Sequence, residues 1–385
     1  MRYNTGMEKI GIFGGTFDPV HNQHQMLAKK AIQQLGLDRL YVVPTFLPPH
    51  KDGYLPTSGD IRLEMLRAAF QDEKKVVVSD YELTAGGKSY SYLTVSHFAK
   101  AHEGDSLWFV LGEDMFENFP KWKYPEKIVS QVRIAVVKRD GSGVSFKKAK
   151  KAFEKITKNY DVLPYHGKEV SSTEIRIRTA LGLSLDGLVD KEVQGIIARH
   201  GLYTDERVQK VKDFLKPSRL EHTAGVVEVA VGLAKRLGVD QDKAFLAAAI
   251  HDLAKYRRAE DYADFEMPQG VPAPVQHAFL GAYLAEKELG ITDEEVLRAV
   301  KYHTSGRAEM SALEKIVYLA DMVEKNRAYR GVKKLRRLLE KDFDRAFAAA
   351  IQQSYRYLLK TKRKDQIFPL TKEAYEYYCN QRGRQ

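Results

Sequence analysis

The sequence predicts two folded parts of different class: an α/β domain built on a parallel sheet, then an all-α domain. Three observations carry this. At 385 residues the chain exceeds one ordinary domain. Up to about Tyr203, short apolar runs alternate with stretches of helical periodicity, the pattern of βαβ units. After Thr204 the strand-like runs stop, and amphipathic helical stretches continue to the end. The boundaries expected from this are 7–204 and 205–385, with Met7 a candidate start and the residues before it an extension.

The elements follow in order. Lys9–Phe13 reads as a buried strand, and Gln25–Leu35 as a helix without a breaker. Further strands are expected at Leu40–Val43, Val76–Val78, Leu107–Leu111 and Ile134–Val137. In a parallel sheet, ligands bind beyond the carboxyl ends of the strands. The stretch GGTFDPVHNQH, Gly14 to His24, lies at that end of the first one. In the second part, helices are expected at Arg219–Leu237, Gln241–Tyr256, Pro272–Leu289, Asp293–His303 and Ala312–Asn326. Gly238, Gly290 and Gly306 stand where helix C-termini favour glycine, and Asp240 where an N-cap is needed.

Composition narrows the function. The net charge of +11 is spread over both halves, and the densest basic runs, Lys333–Arg337 and Lys360–Lys364, interleave with helical leucines or flank a helix end. They read as solvated faces, so a nucleic-acid partner is not expected, whereas a polyphosphate ligand suits the charge. No apolar run reaches membrane-spanning length, and the N-terminus lacks the apolar centre of a signal peptide. The single cysteine, Cys379, excludes an intramolecular disulfide and suits a reducing cytoplasm. Nothing in the sequence fixes the oligomeric state, and a homo-oligomer is compatible with it.

GGTFDPVHNQH has the chemistry of a phosphate site. Gly14 and Gly15 let the backbone approach a phosphate closely. His21 and His24, three apart at a helix start, face one side, where free backbone N–H groups and the helix dipole favour anions. They would stabilise charge that develops as pyrophosphate leaves.

From Ile10 to Tyr203 the sequence resembles bacterial nicotinate-nucleotide adenylyltransferases of the HxGH nucleotidyltransferase superfamily. The matching stretches are Gly14–His21, Pro48–Lys51, Lys88–Tyr92, Leu111–Met115, Pro120–Trp122 and Val170–Arg176, in family order. The resemblance implies an α/β Rossmann-like nucleotidyltransferase domain that joins nicotinate mononucleotide to the α-phosphorus of ATP, with Mg²⁺ assisting. It implies ATP contacts from Gly14, Gly15, Thr16, His21, His24, Asp114, Ser172, Thr173 and Arg176, with His21, His24 and Arg176 catalytic. Lys51, Tyr90, Ser91 and Trp122 would hold the nicotinate nucleotide, Trp122 as the stacking plate. One departure stands out: the glycine of HxGH is Gln23 here, and its side chain is expected to crowd the nucleotide.

The second half holds four histidines, His222, His251, His277 and His303, each on an expected helix or helix end. His251 is followed by Asp252, and Asp321 stands alone on an otherwise apolar helix face. A carboxylate among apolar residues needs a compensating cation, and imidazoles with carboxylates converging from several helices suit a divalent metal.

From about Leu220 to Pro369 this half resembles the HD-domain phosphohydrolases, of the branch that cleaves diadenosine tetraphosphate symmetrically into two ADP. Glu221–Val226, Ala249–Lys255, Tyr302–Arg307 and Leu313–Asp321 with Asn326-Arg327 carry the resemblance. It implies two metals, iron by family habit. His222, His251, Asp252 and Asp321 would hold one, with Asp252 bridging to another held by His277 and His303. Asp252 is thereby a catalytic candidate, and Lys255, Arg307 and Arg327 are candidate polyphosphate clamps. Two alternatives stay open for this half: a regulatory module that senses an adenine nucleotide, and a phosphatase acting on another nucleotide.

Overall fold

The computed structural model describes residues 7–49, 55–139, 146–165, 167, 170–361 and 367–380. Lys51, expected at the nucleotide site, lies outside the described residues. The chain divides into two compact units, residues 1–175 with 185–202, and residues 176–184 with 203–385. No helix among the described residues is long and apolar enough to cross a membrane.

The first unit is built on six strands: β1 (Lys9–Gly15), β2 (Arg39–Pro44), β3 (Val76–Val78), β4 (Ser106–Gly112), β5 (Arg133–Arg139) and β6 (Tyr160–Tyr165). Every pair is parallel and the order is β3-β2-β1-β4-β5-β6. The chain fills one side of β1, then crosses back to place β4 on the other. That reversal opens a crevice beyond the carboxyl ends of β1 and β4. β1 ends there in Gly14-Gly15 and β4 in Gly112. The sheet's central residues Ile10, Ile12, Phe109, Leu111 and Ile134 are buried with Phe116, Phe119 and Phe153 from the covering segments. Five strands fall where the apolar runs predict them. β6 has no continuous apolar run: it carries Pro164 and pairs only with β5, as an edge strand can.

The second unit is all-α. Its main helices are Pro217–Leu237, Gln241–Ile250, Ala273–Leu289, Glu294–Tyr302, Ala312–Val323, Val332–Lys341, Phe343–Thr361 and Pro369–Cys379. Asp240 caps the second of these, accepting from the N–H groups of Asp242 at 2.8 Å and Lys243 at 3.0 Å. Gly238 and Gly290 close helices in the left-handed conformation, φ 69° and 65°, which a side chain would resist. The helix Ala312–Val323 is central, burying Leu313, Ile316, Val317, Leu319 and Ala320. Ile177, Ala180 and Leu181 belong to this unit's core, beside Val208, Val211 and Leu215 in one buried cluster. The helix Ser172–Ala180 is therefore shared between the two units in the division of the chain.

Two expected helices are shorter than their patterns suggest: Ala312–Asn326 stops at Val323, and the other loses more. Gln241–Tyr256 is helical only to Ile250. Beyond it the chain tightens into turns, with Leu253 N–H donating to Ile250 at 3.0 Å and Lys255 N–H to Asp252 at 2.8 Å. These three-residue closures set His251 and Asp252 at the helix end.

Candidate functional sites

In the first unit, His21 is the N-cap of the helix Asn22–Leu35 and is buried. Its ring stacks on that of His24, with centroids 3.7 Å apart and planes at 25°. Phe17, held at φ 50°, meets His24 edge-on at 4.9 Å. Phe17 also explains one of the paired glycines. A Cβ on Gly15 would come within 2.8 Å of its ring, whereas one on Gly14 would touch Phe109 at an ordinary 3.8 Å.

The second phosphate-type stretch reaches the same loop. Ser172 Oγ donates to the carbonyl of Pro19 at 2.9 Å, two residues before His21. Ser171 Oγ accepts from the Glu174 N–H at 3.0 Å, capping the helix that Ser172 begins. Thr173 follows on its first turn, and Arg176 lies one residue beyond the division between the units. Gln23 does not behave as the sequence suggests. Its side chain is buried, and Oε1 accepts from the Val170 N–H at 3.1 Å, immediately before Ser171. The amide thus tethers the two phosphate-type stretches to each other.

Sequence reasoning missed Arg62. It is almost wholly buried, donating from Nε to Thr57 at 2.7 Å and from Nη1 to Thr45 at 2.6 Å and Thr16 at 3.0 Å, all backbone carbonyls. One guanidinium therefore fixes the loops that leave β1 and β2, with Thr16 among them.

Asp114 lies on the first turn of the helix Glu113–Asn118, directly after β4. Trp122 is half-buried, its ring 5.1 Å from Phe119 and 6.2 Å from Phe109. Tyr90 is the N-cap of the helix Ser91–Ala101, and Lys123 Nζ lies 4.3 Å over its ring.

The second unit converges its histidines. His222 and His277 come from within helices; His251, Asp252 and His303 from helix ends; Asp321 from the central helix. The Asp252 carboxylate divides them. Its Oδ2 lies 3.1 Å from His251 Nε2 and 3.9 Å from His222 Nε2. Its Oδ1 lies 3.1 Å from His277 Nε2 and 3.7 Å from His303 Nε2. Asp321 Oδ1 joins the first group, 2.9 Å from His222 Nε2 and 3.9 Å from His251 Nε2.

Outer partners orient the rings. Nδ1 of His251 donates to the Ala248 carbonyl and Nδ1 of His303 to that of Val300, each at 2.7 Å. Nδ1 of His222 donates to Glu324 Oε1 at 3.1 Å. Each bond directs Nε2 inward as the electron-pair donor. Glu324 is buried and was missed by the sequence reading, although it stands three residues after Asp321 on the approach to one site. Gly225 makes room for it, since a Cβ there would lie 2.6 Å from Glu324 Oε2.

The residues fit a pair of divalent cations. His222 Nε2 and His251 Nε2 are buried without a partner in hydrogen-bonding geometry. Such atoms are costly to leave uncompensated. Two sets, His222 with His251 and Asp321, and His251 with Asp252 and His303, each bring donor atoms within 4.8 Å of one another. Electrostatics favour metal binding as well. Burial works to raise the Asp252 carboxyl, but His251, His277 and His303 hold it well below the ordinary carboxylate range. Burial likewise opposes ionisation of Asp321, which His222, His251 and Arg327 overcome. Burial lowers His251, and pushes His277 down to about 4, so both are neutral donors at pH 7. His222 moves the other way: burial lowers it, but the Asp321 and Glu324 carboxylates beside its two nitrogens outweigh that.

Cations surround this cluster. Arg219, also missed in the sequence, pairs with Asp252. Lys255 Nζ lies 3.4 Å from Asp252 Oδ1 and 3.2 Å from His277 Nε2. Arg327 pairs with Asp321. Arg307 instead turns its fork onto buried Glu314, at 2.7 and 2.8 Å, beside the capping box that starts the central helix.

Comparison with known proteins finds one family match in each half of the chain. Residues 12–178 match the cytidylyltransferase-like family and residues 219–326 the HD domain family. A Clostridium tetani protein named "Probable nicotinate-nucleotide adenylyltransferase" is 38% identical over 200 residues, 51% of this chain and 100% of that one. The Bacillus subtilis "Bis(5'-nucleosyl)-tetraphosphatase, symmetrical" is 39% identical over 180 residues, 45% of this chain and 96% of that one. A Mycoplasma genitalium protein named "Probable nicotinate-nucleotide adenylyltransferase/Ap4A hydrolase" is 28% identical over 328 residues, 83% of this chain and 88% of that one. The chain thus belongs, in its first half, to the nicotinate-nucleotide adenylyltransferase family and, in its second, to the HD-domain symmetrical bis(5'-nucleosyl)-tetraphosphatase family.

Proposed function

We propose that the chain carries two enzymes: an adenylyltransferase that makes nicotinate adenine dinucleotide, and a hydrolase that splits diadenosine tetraphosphate into two ADP. In the first reaction, a 5′-phosphate oxygen of nicotinate mononucleotide bonds to the α-phosphorus of ATP while the bond to pyrophosphate breaks. Positioning and charge stabilisation suffice, with no covalent enzyme intermediate. His21 and His24 hold the ATP phosphates at the helix start, assisted by Ser172, Thr173 and Arg176. Gly14, Gly15 and Thr16 form the floor, and Asp114 takes the ribose side. Tyr90, Ser91 and Trp122 receive the nicotinate nucleotide. Mg²⁺ would neutralise the polyphosphate in transit.

In the second reaction, one water divides the central phosphate bridge, giving equal halves. The observation that supports it best is the Asp252 carboxylate, whose two oxygens face different donor groups. Bound there, two divalent ions, iron in our reading, would supply Lewis acidity and activate water. The protein's part is to hold Asp252 ionised, keep His251 and His277 neutral, and aim each ring. Lys255 and Arg327 meet the substrate's phosphates. A sensing module is not favoured, because relatives of both the separate and the joined kind are named for hydrolysis.

The test uses the full chain, prepared anaerobically with iron(II). ATP and nicotinate mononucleotide should yield the dinucleotide and pyrophosphate, and diadenosine tetraphosphate should yield ADP alone. AMP and ATP as products would mean asymmetric cleavage. An intact substrate with metal bound would remove the hydrolase assignment.

A further inference from the structure

Next to the histidine cluster the second unit has a cavity of about 1010 Å³. Thr304 and Arg327 line it, and both touch the cluster: Thr304 Oγ1 lies 3.0 Å from His303 Nε2 and 3.3 Å from His277 Nε2, while Arg327 pairs with Asp321. Its volume is at the upper end for a single small-molecule site. Its chemistry is one-sided. Arg330, Lys334, Arg356 and Lys360 line it in addition to Arg327, and no carboxylate among the described residues does. These outer four make no ion pair among the described residues. Between them lie Tyr329, Tyr357 and leucine side chains, apolar surface of the kind on which a nucleobase rests.

The loop bearing Arg327 and Arg330 is held in place from below. Arg336 donates to the carbonyls of Val323 at 2.8 Å and Arg327 at 2.9 Å, and also to that of Glu324. The inner end of the cavity is therefore a fixed feature beside Asp321.

Symmetrical cleavage imposes a geometric demand. The broken bond sits at the middle of the tetraphosphate, so a nucleoside diphosphate half must extend from the metal cluster on each side. We infer that this cavity is the subsite for one of those halves. Arg327 takes the phosphate next to the cluster, Lys334 and Arg356 draw in the outer phosphate, and Tyr357 carries the adenine. The inference rests on the hydrolase reading given above and adds residues that this reading did not use.

The test is the double charge reversal K334E/R356E in the full chain. Both side chains are exposed, and folding is checked by thermal melting and by unchanged adenylyl transfer. KM for diadenosine tetraphosphate should rise at least tenfold while kcat stays within about threefold, and the salt dependence of KM should flatten. The conservative pair K334R/R356K should keep the wild-type KM. If the wild type cleaves the substrate and the reversal leaves KM unchanged, the subsite lies elsewhere and the hydrolase reading stands. A fall in kcat at constant KM would likewise overturn the subsite. No cleavage by the wild type would overturn the hydrolase reading, and this inference with it.

Discussion

Glu324 accepts the Nδ1 proton of His222 at 3.1 Å, and the same ring presents Nε2 to Asp321 at 2.9 Å. A buried carboxylate thus sets the tautomer of a metal-ligand candidate from behind, and Gly225 leaves the space in which it does so.

Glu324→Gln should keep the fold and weaken metal binding by about 10–100-fold, the usual loss when an outer partner of a ligand histidine is replaced. Gly225→Ala should act in the same direction, because its methyl group would displace Glu324. Chelator competition followed by metal analysis measures both. Unchanged affinity in both variants would show that Glu324 is only a packing residue.

The two activities should separate by point mutation. His24→Ala should lower dinucleotide synthesis by about a hundredfold or more, as loss of a transition-state phosphate contact does, and leave tetraphosphate cleavage intact. Asp252→Asn should do the reverse. Parallel assays on each purified variant decide it, and loss of both activities in either variant would point to misfolding.

Gln23→Gly restores the residue that the HxGH pattern expects. Because the Gln23 amide holds the Val170 N–H, its removal should destabilise the first unit by about 1–3 kcal/mol through an unpaired buried donor. KM for ATP should not improve. If a crowding side chain were the right picture, KM would fall instead, and steady-state kinetics distinguish the two.

Arg62→Met should be severe. The substitution keeps much of the volume but leaves the carbonyls of Thr16, Thr45 and Thr57 without their shared donor. A loss of about 3 kcal/mol is expected, with a raised KM for ATP from loosened loops. Denaturant unfolding with the kinetics tests this, and a neutral result would mean that water replaces the guanidinium.

His277 predicts a pH dependence in metal-free protein. Burial holds its folded pKa at about 4, against an ordinary 6.5. Between those values the unfolded chain binds the proton more tightly, so stability is complete above about pH 6.5 and declines as pH falls toward 4. The full effect is of order 3 kcal/mol. His222 shifts in the opposite sense, so the comparison that isolates the effect is wild type against His277→Gln. Identical stability–pH slopes for the two proteins would contradict the assignment.

Much of this protein is legible in its sequence because the signals are local. Apolar runs mark five strands, and glycine with an aspartate cap marks the ends of the helices around Gly238. The histidines could be counted directly. Arg219 and Glu324 leave a weaker trace, each three residues from a ligand candidate and so close to it along the chain. Arg62 leaves none, since an arginine in an amphipathic helix reads as a solvated charge until its loop carbonyls are in place. β6 escaped because an edge strand with a proline lacks the continuous apolar run that a central strand needs.

The sequence by itself determined the two fold classes, their order, the His21–His24 pair and the histidines and aspartates that are candidate metal ligands. Periodicity, residue type and spacing are enough for that, since each follows from the local backbone repeat. The tertiary structure alone decided which oxygen of Asp252 faces which histidines, where the Gln23 amide turns, and that residues 176–184 count with the second unit. It also decided that Arg307 closes on Glu314 while Arg327 closes on Asp321. These are choices among long-range partners. Burial and charge settle them only once distant helices and loops have brought the competing groups within a few ångströms.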